Sequence, residues 1–374
     1  MKISLEKLHL AGYRSYNNNL EQNCIEFKNL NIIIGANGAG KSNLISFLEM
    51  VSYMMTRGLR NYVSKQGGAQ SLLHFGPKCT EQIRGSLHIR DHEGEKEDTY
   101  NFALESSATN QLFFASEEMT YWDNRHPSPF VQDFGIGHFE SDMPNLTNPT
   151  VRTLRSYLER LRVFHFNDTS ISSRIRGSTN VTDNAYLRTD GGNIAAFLYR
   201  MKQSENEILY YNRIVRKIQS VLPQFYDFVL EPDGNGYISL NWIQAGADEV
   251  FGPHQLSDGA LRFIALSTLL LQPTNTAPLT IILDEPEIGL HPYAISILAK
   301  EIRMASKNTQ IIVSTQSPTL LNHFSYEDII VAEYDSLKKC SSLKRYKRED
   351  LEDWLNDYSL GDLWEKNVLG GLPL

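Results

Sequence analysis

A glycine-rich octapeptide, GANGAGKS at residues 35–42, carries the clearest chemistry in the sequence. It fits the phosphate-loop pattern of a glycine, four free positions, and then Gly-Lys-Ser or Gly-Lys-Thr. Glycines let backbone N–H groups approach phosphate oxygens, where a side chain would block the way. The lysine can reach the β- and γ-phosphates as a point charge, and the serine hydroxyl is placed to bind Mg²⁺. The octapeptide therefore predicts a site for a nucleoside triphosphate with Mg²⁺.

The elements around this loop must form a strand, a turn and a helix. Residues 30–34 are an apolar, β-branched run of strand length, and apolar residues recur at helical spacing from residue 43 to about residue 60. We expect Lys41 to be the catalytic cation and Ser42 to be a Mg²⁺ ligand. The other positions expected to contact the nucleotide are Gly35, Ala36, Asn37, Gly38, Ala39, Gly40 and Asn43.

Two carboxylates follow a second apolar run, TIIL at residues 280–283. At the carboxyl end of a parallel strand, Asp284 can hold Mg²⁺ through its water shell, while Glu285 orients or deprotonates the attacking water. Another apolar strand is predicted at residues 310–314, and Gln316 follows it, where it can sense the γ-phosphate. We therefore predict Asp284 as a metal ligand and the other two residues as catalytic.

The segment LSDGALR at residues 256–262 precedes a strongly apolar helix. Ser257 and Gly259 stand at the start of that helix, where a hydroxyl group and free N–H groups can meet an anion. Serine before a helix is also a good N-cap, so the segment taken alone leaves both interpretations open.

The segments GANGAGKS, LSDGALR, ILDEPEIGLHP and STQSP, in this order, resemble the ABC-type ATPase superfamily in its soluble branch. That branch contains the heads of SMC and RecF proteins and related bacterial AAA-type ATPases of defence operons. The resemblance implies an α/β fold, a P-loop NTPase of the ABC and SMC-head type, with a mixed sheet, an antiparallel β subdomain and a helical insertion. The stretches FHFNDTS at 164–170 and DGGNIAAFL at 190–198 also resemble that AAA group, without any chemistry attached to them.

The resemblance further implies a homodimer that closes around ATP and Mg²⁺. Ser257 and Gly259 of one copy would reach the γ-phosphate held by Lys41 and Ser42 of the other, with His291 in the interface. Such a dimer would switch a nucleic-acid-related or anti-phage defence assembly with a separate effector or nuclease partner. The alternative is a RecF-like repair ATPase that acts directly on DNA.

The family pattern also implies two further contacts near the nucleotide. The aromatic and basic turn at residues 13–16 would lie beside it, so Tyr13 or Tyr16 is a candidate to stack on adenine. A glutamine downstream of the loop would couple Mg²⁺ to a mobile subdomain. The sequence leaves the choice open among three candidates, Gln66, Gln70 and Gln82.

The remaining elements predict how the chain is divided. Residues 3–16 alternate like an exposed edge strand, 61–78 indicate a loop, 82–122 an antiparallel meander, 151–217 a helical region, and 225–244 a hairpin with its turn at 233–236. We predict a nucleotide-binding core from 1–60 and 225–374, an antiparallel β subdomain and loop at 61–150, and a helical, basic, lid-like subdomain at 151–224.

Charge and composition limit the partners. The net charge is −8, yet residues 151–217 hold twelve Lys or Arg against six Asp or Glu. This stretch is the candidate contact for DNA or RNA, although a charged helix face is often only solvated. Its named candidates are Arg152, Arg155, Arg160 and Arg162 on one predicted helix, and Arg174 and Arg176 in the loop that follows. Three cysteines far apart and the lack of a long apolar run predict a cytoplasmic protein without a membrane contact.

Overall fold

The computed structural model describes residues 3–91, 95–123 and 128–370. The chain divides into a first unit, Met1–Arg162 with Leu279–Ile282 and Ser325–Leu374, and a second unit, Val163–Pro278 with Leu283–Phe324. The domain boundaries predicted from the sequence, 1–60 with 225–374, 61–150 and 151–224, stay a prediction.

The strands and helices have the following bounds. The strands are β1 (Ile3–Ala11), β2 (Cys24–Glu26), β3 (Leu30–Ile34), β4 (Gln82–Asp91), β5 (Lys96–Ser106), β6 (Leu112–Asp123), β7 (Phe130–Asp133), β8 (Leu161–Phe164), β9 (Thr179–Asn180), β10 (Phe225–Val229), β11 (Tyr237–Ile238), β12 (Asn241–Gln244), β13 (Val250–Phe251), β14 (Thr280–Asp284), β15 (Gln310–Thr315), β16 (Ile329–Asp335) and β17 (Cys340–Lys344). The helices are α1 (Lys41–Met55), α2 (Leu59–Lys65), α3 (Ala69–Leu72), α4 (Pro149–Leu158), α5 (Ile194–Gln203), α6 (Ile208–Val221), α7 (Asp258–Leu271), α8 (Pro292–Ala305), α9 (Pro318–Leu321), α10 (Glu352–Leu355) and α11 (Leu360–Glu365).

An antiparallel sheet in the first unit has the order β2-β1-β4-β5-β6-β7 and confirms the predicted meander. In β4, buried and half-buried residues alternate strictly, as expected for a sheet with one face on a core. The prediction of an exposed edge strand at the N-terminus is wrong, because β1 lies between β2 and β4. Alternation of apolar and polar residues indicates that one face of the strand is polar. It does not distinguish an interior strand from an edge strand.

A second group of strands in the first unit leads to the phosphate loop. All five residues of β3 are buried, which suits a strand covered on both faces. It pairs in parallel with β16, which pairs in antiparallel fashion with β17, so the sheet is mixed as predicted. The loop then begins at Gly35, at the carboxyl end of β3.

Helices occur where a loop was predicted at residues 61–78. This stretch contains most of α2 and all of α3. Gly67 and Gly68 have φ of +89° and +94°, a region that glycine adopts at little cost. The glycines therefore end one helix and begin the next, rather than abolishing both.

The second unit contains helices α5 to α9 and the strands that carry the carboxylates. Twelve of the fourteen residues of α7 are buried, so this apolar helix is a core element. The predicted hairpin at 225–244 is confirmed, because β10 and β12 pair in antiparallel fashion, while the short strand β11 between them pairs with β9. The turn itself is present, since the amide of Gly236 donates to the carbonyl of Asp233 at 3.0 Å.

The region predicted as helical at 151–217 is helical only in part. Helix α4 ends at Leu158, so Arg160 lies beyond it and Arg162 belongs to β8. Between β8 and α5 the chain runs mainly as loops with one short strand. In the described part of the chain, no helix is both long enough and apolar enough to span a membrane.

Candidate nucleotide site

The phosphate loop is held by backbone geometry and by the two strands behind it. A Cβ atom at Gly35 would lie 2.4 Å from the carbonyl oxygen of Ala332 on β16. A Cβ at Gly40 would lie 2.4 Å from Oγ of Ser341 on β17, and its φ of +109° is unfavourable for any other residue. The packing of the loop therefore requires glycine at both positions, independently of any bound ligand.

Lys41 lies inside the curve of the loop. The residue is buried, and its ammonium group donates to the carbonyl oxygens of Gly35 at 2.5 Å and Ala36 at 3.0 Å. Helix α1 begins here with Gly40 as its N-cap, without a side-chain cap and without an acidic residue in its first turn. A helix N-terminus beside a lysine favours an anion, and this environment fits a phosphate group.

The remaining loop residues differ in exposure. Asn37, Gly38 and Ser42 are exposed, while Ala39 is buried. A Cβ at Gly38 would meet nothing within 4 Å, so its φ of +82° is the reason for glycine there. The exposed Ser42 hydroxyl fits the expected role of a cation ligand.

Asn43 anchors the helix that follows the loop. Its side-chain amide donates to Oγ of Ser15 at 2.8 Å, and Oγ of Ser341 donates to the same atom at 2.7 Å. The three side chains join the turn after β1, the start of α1 and β17. Asn43 was predicted to contact the nucleotide. In the structure its side-chain amide instead donates within the protein, to Ser15.

The two tyrosines of the turn at 13–16 are core residues. Tyr13 and Tyr16 are both 0% exposed. The hydroxyl of Tyr13 lies 2.5 Å from Oγ of Ser46, and the hydroxyl of Tyr16 donates to the carbonyl of Gly40 at 3.1 Å. Burial raises the pKa of both phenols. The prediction that either ring stacks on adenine is wrong, because neither ring face is accessible.

The three candidate glutamines lie in different settings. Gln66 accepts a hydrogen bond from Arg14 at 2.6 Å, and Gln82 donates to Glu105 at 2.7 Å within the meander. Gln70 lies exposed on α3. The assignment of the coupling glutamine therefore stays open.

A network of three hydrogen bonds joins the end of β15 to the end of β14 in the second unit. Each donor is one of three successive residues, and each acceptor is a carboxylate. Ser314 donates to Asp284 at 2.7 Å, Thr315 donates to Glu287 at 2.5 Å, and the side-chain amide of Gln316 donates to Glu285. We call these six residues the strand-end network. It brings together all three residues predicted in this part of the chain.

Glu285 has an unusual backbone conformation. Its φ is +47°, in the left-handed region that non-glycine residues rarely adopt. Its N–H group donates to the carbonyl of Ser314 at 2.8 Å, which fixes the sharp turn directly after β14. Such conformations typically cost about 1–3 kcal/mol and cluster at functional sites.

Glu287 is the carboxylate of this network that sequence reasoning missed, together with the two donors Ser314 and Thr315. It is 8% exposed, and burial raises the pKa of its carboxyl group. The signal was present in the sequence as a third carboxylate in DEPE and as the two hydroxyl residues before Gln316. It could not be interpreted without knowing which side chain faces which.

The segment LSDGALR forms the start of α7. Ser257 is exposed and caps the helix, accepting from the amide of Ala260 at 3.2 Å, so its N-cap role is confirmed. A Cβ at Gly259 would lie 2.4 Å from the carbonyl oxygen of Gly289, so only glycine fits there. His291 likewise caps α8 through the amide of Tyr293 at 3.2 Å.

A family model matches most of the chain. Its description is "AAA domain, putative AbiEii toxin, Type IV TA system", and it matches residues 30–322. The chain belongs to this family of AAA domains. The match begins at β3 and ends after α9, so it includes both the phosphate loop and the strand-end network.

Solved structures similar to this AAA domain include SMC heads. One is an SMC head bound to the C-terminal winged-helix domain of ScpA, with 17% identity, a TM-score of 0.58, and coverage of 92% of this chain and 98% of that chain. Another is an SMC head with an extended coiled coil bound to the C-terminal domain of ScpA from Pyrococcus furiosus, with 16% identity, a TM-score of 0.57, and coverage of 95% and 99%. A search of curated proteins finds no match. The fold is therefore the mixed α/β fold of SMC-head P-loop NTPases.

Two buried arginines of this AAA domain explain the stretch FHFNDTS. Arg262 of α7 donates to the carbonyl oxygens of Phe166 and Asn167, at 3.1 and 3.0 Å, and to that of Ile288. Arg176 donates to the carbonyl of Thr169 at 2.8 Å and to the carboxylate of Asp258 at 2.7 Å. The stretch is thereby fixed beside the start of α7.

Three of the six arginines in the predicted contact surface are engaged within the protein. Arg176 is 7% exposed and cannot meet a nucleic acid, so that part of the prediction is wrong. Arg155 pairs with Glu159 at 2.6 Å, and Arg174 pairs with Asp190 at 3.5 Å. Among the residues that the structure describes, the exposed arginines of this set that form no such pair are Arg152, Arg160 and Arg162.

The predicted site residues fall into two groups. The first unit holds the loop residues from Gly35 to Asn43, and the second unit holds Ser257, Gly259 and the strand-end network. Each group is complete within its own unit. Their joint action on one nucleotide is a proposal, which follows.

Proposed function

We propose that this AAA domain binds ATP with Mg²⁺ and hydrolyses it. The observation that carries the proposal is the strand-end network, in which a glutamine side chain holds Glu285 and a serine holds Asp284. A general base works only if it is oriented toward the water it deprotonates. The phosphate loop, with its buried lysine and uncapped helix start, supports the same function from the other unit.

Each residue has a stated role in this proposal. Lys41 exchanges its contacts to loop carbonyls for phosphate oxygens, and the amides of the loop bind the same group. Glu285 accepts the proton of the attacking water, and Gln316 orients that carboxylate. Ser42 and Asp284 are the proposed ligands of Mg²⁺, which would supply charge neutralisation on the phosphates.

We further propose that two copies close around ATP. Support comes from the exposed surface near the starts of α7 and α8, where Ser257, Ile288 and Tyr293 face solvent; the last two are 45% and 56% exposed. Exposed apolar side chains beside a polar rim are typical of a protein interface. In this proposal Ser257 and Gly259 of one copy contact the γ-phosphate on the other.

The closed dimer would act as a switch on a separate protein, such as an effector of a defence assembly. The family description names a toxin system, and the similar SMC heads are bound to domains of a second protein. Both facts support a partner for this chain without identifying it.

The test is ATP hydrolysis by the Glu285→Gln variant. Loss of a general base typically lowers kcat by about 10²- to 10⁴-fold. Phosphate release should fall by that factor while ATP binding persists, because glutamine keeps the size of the side chain. The matched control is Glu349→Gln, which removes an exposed carboxylate elsewhere and should leave the rate unchanged. Normal hydrolysis by Glu285→Gln would remove this residue from the mechanism.

A further inference from the structure

Two helices of the second unit present a row of basic side chains. On α6 these are Arg213, Arg216 and Lys217, and on α8 they are Lys300 and Arg303. Residues three or four apart lie on one face of a helix, so each group forms a single stripe. Four of the five side chains are exposed, and Lys217 is half-buried. We call these five residues the α6/α8 basic face.

The two stripes belong to one surface. The guanidinium of Arg213 lies 3.9 Å from the sulfur of Met304 on α8. Glu301 of α8 is close enough to Lys217 and Arg213 for both charges to act on its carboxyl group. The pKa of His323 is lowered chiefly by burial and further by the nearby charges of Arg303 and Lys300, so this side chain also lies within range of the α8 stripe.

In the part of the chain that the structure describes, no exposed carboxylate forms an ion pair with this face. Helix α6 contains no acidic residue, and Glu301 is the one acidic residue of α8. Glu301 is 1% exposed and is bound by Ser267 beneath the surface, and burial raises its pKa to about 7. Within residues 3–91, 95–123 and 128–370, none of the five basic residues forms an ion pair with a carboxylate, whereas Arg155 and Arg174 do.

The composition of the face favours a phosphate backbone over a protein surface. Protein interfaces are typically centred on buried apolar or aromatic anchors. The large, strongly exposed apolar side chains on these helices are Leu209 and Tyr293, which both lie in the first turn, so the later turns that carry the basic side chains hold none. Phosphate binding needs only spaced cations, which release counterions from the polymer.

We propose that the α6/α8 basic face binds the phosphate backbone of a nucleic acid. The two stripes are formed by arginine and lysine in a chain whose net charge is −8, so the positive charge is local. The contact is independent of base sequence, because phosphate contacts position a protein without specifying bases. DNA and RNA share this chemistry and are separated by the experiment.

The experiment measures anisotropy of labelled 30-base-pair DNA and labelled 30-nucleotide RNA against protein concentration, at 50 to 200 mM KCl and without ATP. The test variant carries Arg213→Gln, Arg216→Gln, Lys300→Gln and Arg303→Gln. The matched control removes four exposed arginines of the other candidate surface, through Arg152→Gln, Arg160→Gln, Arg162→Gln and Arg174→Gln. ATP hydrolysis and thermal unfolding verify that both variants fold.

We expect the wild-type protein to bind at least one of the two polymers with an affinity that falls steeply with salt. Each lost phosphate contact on DNA reduces the slope of log K against log salt by about 0.9, so four contacts reduce it by about 3.6. Affinity at 100 mM KCl should fall roughly tenfold or more in the test variant. The control variant should stay within about twofold of wild type.

Several results would overturn the proposal. One is a wild-type protein that binds neither polymer at 50 mM KCl, and another is a control variant that loses as much affinity as the test variant. Equal affinity for polyglutamate would indicate an acidic protein partner instead. If the fourfold variant unfolds, two smaller variants are measured instead, Arg213→Gln with Arg216→Gln and Lys300→Gln with Arg303→Gln. Each should reduce the salt slope by about 1.8, and an unchanged slope in both would overturn the proposal.

Discussion

The phosphate loop of the first unit and the strand-end network of the second hold their charged groups in opposite ways. Lys41 contacts carbonyl oxygens of its own loop, so its charge is positioned by residues that are its neighbours in the sequence. The three carboxylates at the end of β14 are held instead by side chains from another segment, the end of β15. The comparison indicates that phosphate binding by the loop depends on the charge of Lys41, whereas the action of the carboxylates depends on how neighbouring side chains orient them.

The largest effect in the comparison is expected for Lys41→Ala. Hydrogen bonds to charged groups contribute about 1.5 to 3 kcal/mol, so ATP affinity should fall roughly ten- to 150-fold. The measurement is calorimetric titration with ATP and Mg²⁺. As a control, Lys347→Ala removes an exposed lysine and should bind ATP like wild type. Equal affinity of Lys41→Ala and wild type would contradict the role of the loop.

An intermediate effect is expected for Thr315→Val, which keeps the shape of the side chain and removes its hydroxyl group. Glu287 then loses its donor in a buried place, which costs about 1 to 3 kcal/mol of unfolding free energy. Because Gln316 is the next residue, kcat should also fall severalfold with little change in KM. Urea denaturation and steady-state kinetics measure the two effects.

The control for that variant is Thr268→Val in α7. Its hydroxyl is also buried, but it donates to the carbonyl of Ile264 one turn earlier, which is a local helix contact. We expect a smaller loss of stability and an unchanged kcat. If both variants change kcat equally, the effect of Thr315→Val is not specific to the network.

The smallest effect is expected in the pH dependence of Glu287→Gln. The pKa of Glu287 is raised above its ordinary value of 4.5 by burial, so the folded state binds its proton more tightly than the unfolded state. Its contribution to stability is therefore present at low pH and is lost as pH rises through the folded pKa. Relative to wild type, Glu287→Gln should be more stable at pH 8 than at pH 5. Urea denaturation at both values measures this, and an unchanged difference would mean that Glu287 ionises as easily in the folded state as in the unfolded state.

The two regions also differ in how far the sequence predicts them. A phosphate loop is defined by residues that are close together in the sequence, so its strand, turn and helix can be predicted from a short segment. The sequence placed Asp284, Glu285 and Gln316 at strand ends for the same reason. It missed Glu287 and Thr315 as partners, because their pairing depends on which strands are adjacent and which side chains face each other.

Other differences between the predictions and the structure arise because a single sequence does not show which side chains are buried. Tyr13 and Tyr16 belong to an aromatic and basic turn of the kind that can face a ligand, yet both side chains are buried in the core. Arg176 belongs to a basic stretch, yet it is buried and bound to Asp258. The α6 part of the α6/α8 basic face lies in the basic stretch 151–217, but the sequence did not reveal its partner stripe on α8, which is about eighty residues away along the chain.

The central claim is that two copies of this chain close around ATP, and it is tested by the mass of the Glu285→Gln variant in solution. Light scattering would be recorded without nucleotide and with ATP and Mg²⁺. The account predicts a change from about 42.6 kDa to twice that mass on adding ATP, because hydrolysis can no longer reopen the dimer. A mass that does not respond to ATP, in a variant that still binds it, would contradict the closing dimer and the role of Ser257.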